Sequence, residues 1–523
     1  MQAASHQNMR SSAFRLHHAL PFLAATLLNA CATVDFDYPR QESYVYTQTA
    51  DTELGEATGF YEQQHLNQSG FELQSDGIQS LAARLALADE AQLSIDTQYY
   101  LIKDDLVGYV FVGALLDAAD RGVRVRLLLD DIFTEGFDAG FMALDSHPNF
   151  EIRVFNPWAS RKNRFADIFS FSRLNRRMHT KSYTVDNEVT IVGGRNIADE
   201  YYGASQDVNF GDIDVMGIGP VVNEVSGMFD EFWNNRLSMP IAGVADKLDD
   251  PAAALSVLRA SIERYRQEAA DTQYASAVIA DFDDYLAADE SIFEWAPYVL
   301  AYDSPDKADK KLADGAASIV TPLAASVDRA TEQLAIVSPY FVPRKAGIEY
   351  FRQLLERGLA ITVVTNSLAA NNHTIVHSGY APSRKPLLEL GVEIYEVKST
   401  ASVEGLERAG TDSARATLHS KVFIVDDNEL FVGSFNWDPR SVNLNTEAGI
   451  IIDSRKLTEK LVASLTRGED QDAYQVILND KGQLRWVDRS GPEDIVLSKE
   501  PDTTWGKRFR AGFMEILPVR GQL

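Results

Sequence analysis

Short apolar runs of strand character alternate along this chain with longer amphipathic stretches. Gln92-Leu93-Ser94-Ile95 leads into the aromatic segment Gln98-Tyr99-Tyr100, an amphipathic stretch ends at Arg121-Gly122, and the apolar run Val123 to Leu129 follows. The same succession returns 241 residues later as Gln333-Leu334-Ala335-Ile336, Pro339-Tyr340-Phe341, a stretch ending at Arg357-Gly358, and the run Leu359 to Val364. Strand, helix and strand in that order form a βαβ unit, whose crossover makes the two strands parallel. The pattern predicts an α/β fold of two similar halves, each a mixed, largely parallel sheet flanked by helices.

The halves are expected at 76–240 and 321–523, the second with a C-terminal extension. Between them, 241–320 is rich in Ala and Asp with helical spacing, as from Ala252 to Tyr265, and reads as a helical connector. Residues 31–75 have weak periodicity and many polar groups, and read as a stalk or linker. Before them, Arg10 and Arg15 with no acid, the apolar run Ala19 to Leu28, and Leu28-Asn29-Ala30-Cys31 have the layout of a signal peptide over 1–30. It resembles a bacterial lipoprotein signal, which implies acylation of Cys31. The stretch Trp505 to Leu517 mixes Lys507, Arg508 and Arg510 with Phe509, Phe513 and Ile516, and reads equally as a helix docked on the body or an interfacial membrane helix.

Composition excludes a disordered polymer, since 45% of the 523 residues are hydrophobic and 24% charged. The formal net charge of -27 repels nucleic acids and anionic bilayers, so an anionic substrate must be gathered by a local basic patch, and no nucleic-acid partner is expected. A single cysteine leaves no intramolecular disulfide and no thiolate metal cluster.

The candidate chemistry also occurs twice, at an offset of 240 residues: His179-Thr180-Lys181, Asp186 and Gly193-Gly194-Arg195-Asn196, then His419-Ser420-Lys421, Asp426 and Gly433-Ser434-Phe435-Asn436. In both copies four residues separate Lys from Asp and six separate Asp from the first Gly. Alternation along a strand sends His and Lys to one side together. Asp186-Asn187 and Asp426-Asp427-Asn428 are turn formers, so each hairpin returns Gly and Asn beside its own His and Lys. Glycine lets an anion approach the backbone, and asparagine offers an amide donor. Two such half-sites face to face surround one phosphate with two His, two Lys and two Asn, the equipment for phosphoryl transfer without a metal or other cofactor.

The paired motifs resemble those of the phospholipase D superfamily, over about residues 75–517. Further segments are similar to its bacterial cardiolipin synthase C type: Asp145-Ser146-His147-Pro148, Asp167-Ile168, Ser172-Arg173-Leu174-Asn175-Arg176-Arg177, Asp212-Ile213-Asp214-Val215-Met216-Gly217-Ile218-Gly219-Pro220, Thr365-Asn366-Ser367-Leu368-Ala369-Ala370-Asn371 and Asn436-Trp437-Asp438-Pro439-Arg440-Ser441. The resemblance implies two phospholipase D-like halves with the active site at their pseudo-twofold interface. It implies a phosphohistidine intermediate with His179 as nucleophile and His419 as acid and base, or the reverse. Lys181, Lys421, Asn196 and Asn436 would hold the phosphate oxygens, and an acid on a following strand, Asp212 and Glu447, would orient each histidine. Asp186 and Asp426 belong to the motif and suit bonds to backbone or Lys. Gly194 departs from the pattern, with Ser434 opposite it in the second copy, and both positions are expected beside substrate.

Arg161, Lys162, Arg164, Arg173, Arg176 and Arg177 interleave with Phe165, Ile168, Phe169 and Phe171, which suits a loop at a lipid surface, with Arg173, Arg176 and Arg177 as substrate-binding candidates; a solvated basic loop is the alternative. His373 and His377 are candidates for an acceptor pocket. The resemblance implies a phosphatidyl transferase making cardiolipin, with phosphatidylethanolamine as donor and phosphatidylglycerol as acceptor. Hydrolysis to phosphatidic acid is the alternative, ahead of a nuclease or a non-catalytic envelope protein. Phospholipids and a phospholipid membrane are the implied partners. The implied location is the bacterial cell envelope, as a tethered lipoprotein facing the periplasm, with Ala32 in place of aspartate pointing to the outer membrane.

Overall fold

The computed structural model describes residues 34–514 apart from 162–163, 165–166, 168–169, 287–291, 310–314, 412 and 467–471. Cys31 and the signal segment lie outside the described residues, as do Lys162, Phe165, Ile168 and Phe169. Among the described residues the first half is built on a nine-stranded sheet and the second on a ten-stranded one.

The duplication carries through to topology. Six strands of the first sheet run in the order Asp214–Ile218, Val189–Gly193, Ser182–Val185, Ser94–Tyr99, Arg124–Asp130, Phe150–Phe155. The second sheet repeats them as Ala448–Asp453, Glu429–Gly433, Val422–Val425, Gln333–Val337, Ala360–Asn366, Glu393–Val397. Parallel pairing is confined to the last three strands of each set, the βαβ part read from the sequence. Every other pair within these two sheets is antiparallel, so the sheets are mixed without being largely parallel. The motif hairpins account for part of this, since strands joined by a tight turn can only run antiparallel; the rest are pairs between strands distant in sequence, such as Ser94–Tyr99 with Ser182–Val185.

The Arg-Gly steps end helices. After Leu106–Asp120, Gly122 takes φ 103° and Val123 N donates to Ala118 O; after Arg344–Glu356, Gly358 takes φ 95° and Leu359 N donates to Leu354 O. A left-handed residue closes the helix and aims the chain at the next strand, a geometry that a side chain would strain.

The stalk expected over 31–75 is corrected by the described part, which is built into the body. Arg126 Nη1 donates to Ser43 O at 2.8 Å, Val45 N donates to Asp230 Oδ2 at 2.9 Å, and Ser69–Gln74 pairs with Asp214–Ile218. Residues 34–52 attach through scattered hydrogen bonds and a few apolar contacts, Val34, Phe36 and Tyr38 packing on the core, which leave no apolar period to read. The connector over 241–320 does hold helices, Pro251–Ala269 and Gln273–Leu286, whose Ile262, Tyr274 and Val278 enter the first half's core. It also supplies an edge strand to each sheet, Glu294–Ala296 to the first and Tyr298–Tyr302 to the second.

One apolar cluster spans both halves, joining Phe71, Val192, Val215 and Phe229 to Val422, Leu430, Val432 and Ile450. Burying such side chains, each worth about 1.5–3 kcal/mol, fixes the halves against one another. No helix among the described residues is long and apolar enough to cross a membrane.

Candidate active site

Each half brings its motif to this junction at the end of a hairpin. Ser182–Val185 turns at Asp186 and Asn187, with φ 49° and 55°, and returns as Val189–Gly193. The Asp186 carboxylate accepts from the backbone N–H groups of Gln92, Leu93 and Ser94 at 2.7–2.8 Å. Asp426, at φ 51°, accepts from those of Thr331, Glu332 and Gln333. Both aspartates thus clamp the start of a central strand, a strand's length away from the histidines. They are turn residues and leave the catalytic set.

At the other end the two halves interlock. Val208–Gly211 pairs parallel with Arg415–Leu418, His419 N donates to Gly211 O at 2.8 Å, and His179 N donates to Thr446 O at 2.8 Å. The next residue after each acceptor is an acid. Glu447 Oε2 stands 2.7 Å from His179 Nδ1, and Asp212 Oδ2 stands 2.5 Å from His419 Nδ1. Each histidine thus has its Nδ1 at a carboxylate that comes from the opposite half.

Burial raises both acids, yet His419 and Lys421 hold Asp212 well below the carboxylate range, and His179 and Lys181 lower Glu447. Both are ionised and can only accept, so each imidazole carries its proton on Nδ1 and its lone pair on Nε2. Burial and nearby ammonium groups push His179 down to about 4 and His419 to about 3, against the pull of their carboxylates. Burial lowers Lys181 to about 7 and Lys421 to about 8, with the two lysines also repelling one another. Two cations packed together in a dry site are what an anion relieves.

The half-sites differ in detail. Lys181 Nζ donates to His179 O at 2.7 Å and lies 5.3 Å over the Tyr100 ring. Lys421 Nζ likewise donates to His419 O but also lies 2.7 and 3.2 Å from the two His419 ring nitrogens. His179 Nε2 has no hydrogen bond among the described residues. Asn196 Nδ2 donates to the Tyr201 hydroxyl at 2.9 Å. The buried Oδ1 atoms of Asn196 and Asn436 have no partner among the described residues, and as acceptors they cannot meet a phosphate oxygen; only the amide N–H groups can, one of which at Asn196 is taken by Tyr201.

Gly194 and Ser434 serve the acids. Ser434 Oγ donates to Glu447 Oε2 at 2.5 Å, and Ser441 Oγ to Oε1 at 2.8 Å. A Cβ at Gly194 would lie 2.2 Å from Asp212 Oδ1, so the missing side chain is the space that carboxylate occupies. The arginines are corrected from substrate contacts to frame. Arg177 is buried, donating from Nε to Leu174 O and lying 3.4 Å from Asp130. Arg173 reaches Asn156 and Pro157 O, and Arg176 bridges to Lys307 O of the connector and Asn443 O of the other half. Arg161 pairs with Asp131 and Asp138, and Arg164 donates to Ile132 O, so these loop cations are held by 131–138.

Sequence reading missed the aromatic walls. Tyr100 packs edge-on against His179 at 4.9 Å, Tyr201 edge-on against His419 at 5.0 Å, and Phe210 stacks on His419 at 5.4 Å. The aromatic segment after the first strand was the available signal for Tyr100 alone; its counterpart Tyr340 packs instead on His373 at 5.8 Å. His377 is instead buried beside Glu500.

The family model for the cardiolipin synthase, PLD-like domain matches residues 85–233 and 323–467, one segment in each half. Cardiolipin synthase C of Escherichia coli is 41% identical over 460 residues, 87% of this chain and 96% of that protein. An uncharacterized Helicobacter pylori protein is 29% identical over 96% of this chain and 99% of its own length. Among solved structures, a phosphatidylserine synthase of Haemophilus influenzae shares the fold, with a TM-score of 0.52 and 13% identity over 80% of this chain and 91% of that one. With one copy of the domain in each half and the histidines of both meeting at one junction, the chain belongs to the phospholipase D superfamily, in its cardiolipin synthase family.

Proposed function

We propose that the protein is a phosphatidyl transferase that makes cardiolipin from two phospholipids through a phosphohistidine. The observation that carries the chemistry is the pair of buried imidazoles, each held by the other half's carboxylate, in a pocket with two lysines. Similarity to cardiolipin synthase C of Escherichia coli supports the lipid product. His179 suits the nucleophile because its Nε2 lone pair is unengaged, whereas Lys421 stands at His419 Nε2.

In the first step His179 Nε2 attacks phosphorus of the donor lipid, the P–N bond forms, and the P–O bond to the head-group alcohol breaks. A negative phosphodiester between Lys181 and Lys421 raises the basicity of His419, which carries a proton in the bound state and gives it to the leaving oxygen. In the second step His419 takes the proton of the acceptor lipid's glycerol hydroxyl, that oxygen attacks phosphorus, and the P–N bond breaks to restore His179. The lysines, with Asn196 and Asn436, hold the non-bridging oxygens as charge shifts between them. Phosphatidylethanolamine is the proposed donor and phosphatidylglycerol the acceptor.

The reading extends to place: acylation of Cys31 would tether the body to the envelope, facing the periplasm, with Ala32 favouring the outer membrane. Labelling with a palmitate analogue should mark the wild type and spare Cys31→Ala.

The deciding experiment gives the purified protein phosphatidylglycerol alone, phosphatidylethanolamine alone, and both, with mass spectrometry of the products beside His179→Ala. Cardiolipin and free ethanolamine from the mixture alone are expected, with chelator making no difference and His179→Ala inactive. Phosphatidic acid without cardiolipin would show that water is the acceptor.

A further inference from the structure

Three of the most exposed large apolar side chains fall on one helix, Trp505–Met514: Trp505 is 72% exposed, Phe509 60% and Phe513 54%. A spacing of four residues places them in one stripe, and Trp505 stacks on Phe509 at 5.3 Å. The opposite side is engaged: Ala511 is buried, the helix lies on Thr374–Tyr380, and Lys507 Nζ donates to Ala369 O at 3.0 Å. The helix is therefore docked on the body by its small side, with its rings turned outward. At 3.6 residues per turn, Arg508 and Arg510 fall about 60° beyond either edge of the stripe. In a chain of net charge -27, this helix holds three cations and no acid.

Its position relates it to the chemistry. Ala369 belongs to the segment whose Asn366 exchanges hydrogen bonds with Leu418, the residue before His419, at 2.8 and 2.9 Å. Thr417 Oγ1 donates to the next carbonyl, Ala370 O, at 2.9 Å. The helix thus stands one loop away from the strand that carries His419. On the other half Phe133, 47% exposed, covers Tyr100, which packs on His179.

We propose that the Trp505–Met514 helix docks the catalytic face on an anionic bilayer, its three rings entering the interface while Arg508 and Arg510 meet lipid phosphates. Large aromatic rings are at home at that depth, and flanking cations supply the attraction that the acidic body lacks. Each of the two sequence readings of this stretch describes one side of the helix. The proposal rests on bilayer phospholipids being the substrates.

The test uses full-length chain synthesised without membranes, so that no acyl tether is added, and measures cosedimentation with vesicles of phosphatidylcholine, with and without phosphatidylglycerol. Trp505→Ala/Phe509→Ala/Phe513→Ala should weaken binding to the anionic vesicles at least tenfold. Arg508→Gln/Arg510→Gln should remove the preference for them. Both variants should turn over a short-chain, monomerically dispersed phospholipid at the wild-type rate, which shows that they fold. Equal vesicle binding by the wild type and the triple variant would overturn the proposal, as would wild-type binding indifferent to phosphatidylglycerol. Absence of short-chain turnover by the wild type would instead defeat the transferase reading, with the binding comparison still decisive for docking.

Discussion

At the scale of single residues, the site trades side-chain volume between its halves. The shorter acid, Asp212, occupies the space a side chain at position 194 would take, whereas the longer Glu447 is held by the Ser434 and Ser441 hydroxyls. Gly194→Ser should push Asp212 away from His419 and lower kcat about 100-fold, the usual cost of misplacing a catalytic group by about 1 Å. Ser434→Gly, which only frees one Glu447 oxygen, should cost less, and parallel kinetics on the two variants check the ranking. The protonation states give a second expectation. His179, held at about 4, is neutral above that pH, and Lys181, held at about 7, is cationic only below it. Because kcat/KM reports the free enzyme, in which His419 at about 3 must still gain the proton it donates, the profile should be highest between about 3 and 4, decline above that as His419 loses its proton, and break to a steeper alkaline limb near 7 as the clamp loses charge. Lys181→Arg, charged at every pH tested, should carry the alkaline limb upward toward the Lys421 value of about 8. An unmoved limb would show that Lys181 does not set it.

At the scale of elements, the hairpin explains why one motif contains residues of unlike kinds. His and Lys end the strand at the site, and Asp begins the turn at its far end, where it binds three backbone N–H groups. Asp186→Asn removes one carboxylate acceptor and sets an amide donor against those donors, at a cost of about 2 kcal/mol. Denaturant unfolding should show that loss, with activity per folded molecule unchanged, whereas Glu447→Gln should abolish most of the activity of the molecules that remain folded. The duplicated order of strand, helix and strand was legible because burial imposes a period on the sequence, as were the motif residues because they recur at equal spacing. The attachment of 34–52 was not, since isolated apolar contacts such as Phe36 and hydrogen bonds such as Val45 N to Asp230 leave no periodic pattern. Nor were the roles of Arg173, Arg176 and Arg177 legible, because a basic run reads alike whether its partners are lipid phosphates or carbonyls such as Leu174 O and Lys307 O. Of the aromatic rings at the histidines, Tyr100 came from a segment whose repetition was visible without its chemistry, whereas Tyr201 and Phe210 came from stretches with no repeat to read.

At the scale of the whole molecule, the crossing of the acids makes the active site a property of the junction. Gly211 and Thr446 receive the backbone N–H of the opposite histidine, and the residue after each supplies that histidine's carboxylate. Neither half alone holds an oriented imidazole, so shifting the halves against each other would disturb both histidines at once. The buried interface from Phe71 and Val215 to Val432 and Ile450 is what prevents such a shift. The pairing itself can be read without turnover, because an imidazole Nδ1–H bound to a buried carboxylate gives a proton resonance far downfield. Glu447→Gln should remove the resonance that His179→Ala removes, and Asp212→Asn the one that His419→Ala removes. The opposite correspondence would mean that each half orients its own histidine, and the interface would then hold two independent sites instead of one shared between the halves.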